Sequence, residues 1–204
     1  MEYLLALTLL LSPAYAAKIN FFQLPTNLLM VWIILVWIIF FFCGVVSLNY
    51  SFVLEREFAA LEGLLLSPVD PALVFISKVL VGWLFLLIVQ TVVLIALGTL
   101  FGVALSADFP QLFLISAIIA FGFISLGTLF ASIAACIPGR DIILPLLLFP
   151  LSLPALAGAV FVTREILSGV GINFGGFWFL LVVCFDIISF TLSAVLFEYA
   201  VREL

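Results

Sequence analysis

The chain has 204 residues, of which 68% are hydrophobic and 8% charged, with a net charge of −5 and no histidine. A mean hydropathy of +1.53 excludes the soluble globular class. The missing histidine removes H-E-x-x-H metalloproteases, Ser-His hydrolysis, His-ligated haem and histidine proton relays.

Several continuous apolar runs exceed the roughly 18–20 residues that cross a hydrocarbon core. They predict six spans: Met1–Ala17, Leu28–Ser51, Lys78–Val103, Pro110–Ile137, Ile142–Thr163 and Phe177–Ala200. No alternating strand pattern is present, which argues against a β-barrel. The expected fold is an all-α integral membrane bundle of six transmembrane helices, a single domain over residues 1–204 with short connections.

The first span, with Leu4–Leu11 followed by Ala14-Tyr15-Ala16, resembles a signal-peptide core with its cleavage site. Glu2 and the lack of Lys or Arg ahead of it argue for a retained span. The chain enters its apolar run almost at residue 1, as a shortened N-terminus would.

The polar connection at 52–77 follows the second span. Six of the 17 charged residues fall between Phe52 and Lys78: Glu55, Arg56, Glu57, Glu62, Asp70 and Lys78. Leu54, Phe58, Leu61 and Leu65 recur at i, i+4, i+7 and i+11, an apolar stripe along one helix face, with Glu55 and Glu62 off it. Pro68 ends that helix; Asp70 and Pro71 supply an N-cap and a first-turn proline for the next. A short amphipathic helix at the membrane surface is expected, suited to docking a soluble partner.

In the fourth span Gly122, Ser125, Gly127, Thr128, Ala131 and Ser132 permit close helix contact, within the bundle or at a dimer seam. Pro138, Gly139, Arg140 and Asp141 then make a tight turn, with Asp141 as a cap for the fifth span. That span carries Pro145, Pro150 and Pro154, and each removes a backbone hydrogen bond. A kinked or broken helix is expected, lining a path, acting as a hinge or bending around its neighbours. The 164–176 connection is glycine-rich, and Trp178 and Tyr199 fit interfacial anchors.

Asp186 lies mid-span, where an ionised side chain costs at least about 2.5–3.5 kcal/mol on insertion scales. Two readings stay open: a pathway or gating residue, or an acid hydrogen-bonded to Ser189 or to a hydroxyl on a facing helix. Cys43, Cys136 and Cys184 are isolated and read as packing residues. No catalytic set, metal site or nucleotide-binding P-loop is present, so any ATP hydrolysis belongs to a separate subunit. Nothing points to nucleic acid. An N-terminus in the cytoplasm places Arg56, Lys78, Arg140 and Arg202 inside and Lys18 and Arg164 outside, which agrees with both termini inside.

The segment E-R-E-F-A-A-L-E-G-L-L-L-S-P-V at 55–69 resembles the coupling helix of ABC-2-type exporter permeases. Together with P-V-D-P-A-L-V-F-I-S-K at 68–78 and L-L-L-F-P-L-S-L-P-A-L at 146–156, it makes the chain similar to the CcmB family, the haem-exporter permeases of cytochrome c maturation. The resemblance implies an inner-membrane homodimer in the lipid bilayer. Its implied partners are a CcmA-like ATPase, a CcmC-like haem-handling protein and a CcmD-like single-span subunit. It also implies haem as a substrate rather than a resident cofactor. The chain departs from that family in lacking a basic amphipathic segment before its first span. Other readings are an ABC-2 exporter of a lipid, glycan or drug, and a membrane assembly scaffold with no transport path.

Overall fold

A computed structural model describes residues 26–57, 71–103, 108–134 and 140–202. Among these residues regular structure is entirely α-helical. The helices are α1 (Thr26–Glu57), α2 (Pro71–Phe101), α3 (Phe109–Ala134), α4 (Arg140–Leu167) and α5 (Phe177–Arg202). All five are long and apolar enough to cross a membrane. The expected first span, Met1–Ala17, lies outside the described residues.

Hydropathy located these helices, but backbone hydrogen bonding sets their ends. α1 continues through the expected boundary at Ser51 to Glu57, and α2 begins at Pro71 rather than Lys78. Pro71 thereby occupies the first helical position, where its missing N–H costs nothing. α4 begins at Arg140, which puts Asp141 in the first turn instead of ahead of it. α4 also runs unbroken past Pro145, Pro150 and Pro154, so a broken fifth span is excluded.

α3 is the axis of the bundle and touches the other four helices. Its apolar span is 72% buried, against 22–44% in the others. Small residues make this feasible, because in lipid it is close packing rather than water exclusion that holds helices together. Gly122, Ser125, Gly127, Thr128, Ala131 and Ser132 are all buried within one copy of the chain. They therefore serve packing inside the bundle, not a seam between copies. A Cβ on Gly127 would overlap the Leu48 side chain of α1. The hydroxyls of Ser116, Ser125 and Thr128 donate to carbonyls one turn back on α3 itself, at 2.7–2.8 Å, which satisfies them without water.

Aromatic rings fill the joint between α1, α3 and α4. Phe40 and Phe41 of α1 meet Phe123 edge-on at 5.5 and 5.8 Å, and Phe41 meets Phe149 of α4 at 5.4 Å. Trp37 donates its indole N–H to the Thr163 hydroxyl at 3.1 Å, tying α1 to α4. Trp83 likewise ties α2 to α3, donating to the Ala117 carbonyl at 2.8 Å.

Candidate functional site

Successive helices run in opposite directions, so the end of α1 and the start of α2 lie at the same end of the bundle. The segment between them is the expected partner-docking sequence. α1 has 32 residues, which at a helical rise of 1.5 Å span about 48 Å, against about 30 Å of hydrocarbon. The sequence stays apolar through Phe52, Val53 and Leu54, and the first charged residues, Glu55, Arg56 and Glu57, fall in the last turn of the same continuous helix. They are not on a separate surface helix at that point. Phe58, Leu61, Glu62, Leu65, Pro68 and Asp70 lie outside the described residues. Pro138 and Gly139, from the second polar turn, do so too, while Arg140 opens α4 at this same end.

Asp186 of α5 is buried against Gly122 of α3. A Cβ on Gly122 would overlap Asp186 Oδ1 and sit 2.8 Å from its Cγ and 2.9 Å from its Cα. The contact joins α3 and α5 at mid-span, and both helices run in the same direction. Asp186 Oδ1 has no hydrogen-bond partner among the described residues, so it makes no bond to Ser189 through that oxygen. Ser189 and Ser193 follow Asp186 at i+3 and i+7 and are buried as well, which continues a polar stripe along the inner face of α5.

Four further residues, not anticipated, carry buried polar atoms without a hydrogen-bond partner among the described residues. They are Trp32 through its indole N–H, Gln90 through both amide atoms, Gln111 through its Oε1 and Ser193 through its hydroxyl. Gln90 was the visible signal, a lone amide inside the apolar run L-F-L-L-I-V-Q-T-V-V.

Pro150 and Pro154 are exposed on α4, whereas Pro145 is partly covered. Cys43 and Cys184 are free thiols, and Cys136 lies outside the described residues. Among the described residues no cluster of acidic or thiol side chains is suited to a metal ion.

A family model described as CcmB protein matches residues 25–203. The chain belongs to the CcmB family. No curated protein and no solved structure matches it. CcmB proteins are membrane permeases for haem export in c-type cytochrome biogenesis, within the Ccm ABC transporter system. The matched region contains all five helices, the docking sequence and the proline-bearing α4. An all-helical protein with five membrane-length apolar helices among its described residues fits such a permease.

Proposed function

We propose that this CcmB chain is the permease half of an ATP-driven haem-export machine and carries no catalytic chemistry of its own. The observation that carries the proposal is the unbroken passage of α1 from the membrane into the docking sequence at Glu57. A partner's push on Leu54–Glu57 then reaches the hydrocarbon region through the same continuous helix. From α1 it passes to α3 at Phe123 and to α4 through Trp37 and Thr163.

In this reading Leu54, Phe58, Leu61 and Leu65 sit in a groove of a CcmA-like ATPase. Glu55, Arg56, Glu57 and Glu62 pair at the rim and fix orientation. In this reading the end of the bundle at Glu57 is cytoplasmic, which puts Arg56, Lys78, Arg140 and Arg202 inside and Lys18 and Arg164 outside, a bias of the sign the positive-inside rule expects. Both termini then face the cytoplasm, and the membrane is the bacterial inner membrane. In this reading haem is cargo, and without histidine the chain lacks the usual axial ligand for holding it as a resident group. CcmC-like and CcmD-like proteins complete the complex.

A homodimer is also part of the proposal. Pro150 leaves the Leu146 carbonyl without its intrahelical donor, and Leu146 and Pro150 are both exposed in one copy. Backbone in hydrocarbon requires a protein or water partner, so a covering copy suits this face.

Deletion of the gene followed by complementation tests the proposal. Loss of c-type cytochromes, restored by the wild-type chain, is expected. Normal c-type cytochromes with loss of a lipid, glycan or drug efflux would assign the chain to a different exporter. Full function without any dependence on ATP would point to a scaffold.

A further inference from the structure

At the end of the bundle opposite Glu57, α4 and α5 build a flat aromatic surface beside an uncommitted cation. Gly158 starts it. A Cβ there would lie 2.7 Å from Val182 Cγ2 and 3.1 Å from the Trp178 carbonyl oxygen, so only glycine lets the two helices approach this closely. One turn further on, Phe161 lies face to face with Trp178, with ring centroids 4.0 Å apart and an interplanar angle of 13°. Phe177 meets the same indole edge-on at 5.2 Å and is 69% exposed. The next turn of α4 brings Arg164 onto the exposed face that carries Phe161. The Arg164 side chain forms no hydrogen bond, ion pair or ring contact with a described residue.

We infer that Phe161, Trp178, Phe177 and Arg164 form a cargo-release subsite for a planar, apolar ring system that carries a carboxylate. This inference rests on the export reading above, which requires cargo to leave the permease at this end. The stacked rings offer a flat, polarizable face to a flat ligand. The guanidinium supplies the fork that a carboxylate matches with two hydrogen bonds. A lipid headgroup satisfies the cation equally well, but acyl chains need no parallel ring pair. The geometry therefore favours the planar cargo.

Protoporphyrin IX, titrated into the full chain in neutral phosphatidylcholine nanodiscs and followed by porphyrin fluorescence anisotropy, tests the subsite against empty nanodiscs. Saturable binding above the empty discs is expected. Arg164→Gln should weaken it roughly tenfold, the effect of losing a charge-assisted hydrogen bond. Phe161→Leu should weaken it roughly fivefold. The dimethyl ester of the porphyrin should bind the wild type as weakly as the acid binds Arg164→Gln.

Equal binding of acid and ester, or binding unchanged in Arg164→Gln, overturns the inference. So does loss of the Arg164 dependence when phosphatidylglycerol is added, since the cation then belongs to lipid. Cytochrome c output of the same chains is measured in cells. A chain that supports maturation yet fails the titration refutes the subsite and leaves the export reading standing. Normal cytochromes in the deletion strain refute the export reading itself.

Discussion

Asp186 and Gly122 meet where α3 and α5 cross, with the carboxyl oxygen Oδ1 lying where a side chain at 122 would begin. Gly122→Ala should therefore force the helices apart and destabilise the bundle by about 1–3 kcal/mol, the usual cost of overpacking. Adding Asp186→Ala should recover part of the loss and not all, because the Asp186 Cα also lies 2.9 Å from the new carbon. Unfolding midpoints in mixed micelles, combined in a double-mutant cycle, measure the coupling. Strictly additive effects would mean that the contact carries no energy.

The same contact bears on what Asp186 does. It faces a neighbouring helix of its own chain and is buried there, a packing position rather than the wall of an open path. Asp186→Asn keeps the shape and is expected to leave cytochrome c output near wild type. Loss of output at unchanged protein level would restore the pathway role.

Trp37 and Thr163 provide a second test of how the bundle is tied. Trp37→Phe keeps a ring in place but deletes the donor to Thr163. Interhelical hydrogen bonds in membranes average about 0.6 kcal/mol, so a loss of that order is expected. Thr163→Val should cost a similar amount alone and little more in combination. Unfolding midpoints of the single and double variants provide the check.

The five helices were legible in the sequence because each is a continuous apolar run, yet their neighbours were not. An amphipathic helix announces its buried face by its period, whereas a helix apolar all round does not. α3 was the partial exception, since its small residues marked the close contacts. The position of Asp186 was plain, but its partner Gly122 follows only from the parallel course of α3 and α5. α2 was begun seven residues late because Lys78 interrupts hydropathy without interrupting a helix. Trp178 was read as a surface anchor because nothing local reveals that Gly158 brings Phe161 against it.

Pro150 tests the role of α4. Pro150→Ala returns a donor to the Leu146 carbonyl and removes the ring clash with the preceding turn, and prolines within helices cost about 3 kcal/mol. Thermal stability should rise while cytochrome c output falls, if the weakened backbone at Pro150 is part of the moving element. A more stable chain with full output would leave Pro150 a purely structural role, and a less stable one would mean that its neighbours have packed around the proline ring.

Charge reversal in the docking sequence separates coupling from assembly. Glu62→Lys should leave the chain in the membrane but lower ATP-dependent cytochrome c maturation, because a rim pairing becomes a repulsion. Membrane fractionation alongside cytochrome spectra distinguishes the two effects. Unchanged maturation would remove Glu62 from the contact.

The most direct test of the account is photo-crosslinking from position 62 in native membranes, with the captured protein identified by mass spectrometry. An ATPase subunit is the expected partner, with the crosslink weakened by Phe58→Ser in the same docking stripe. Capture of lipid alone, with no ATPase even in the intact complex, would contradict the claim that this permease is driven through its 54–65 segment.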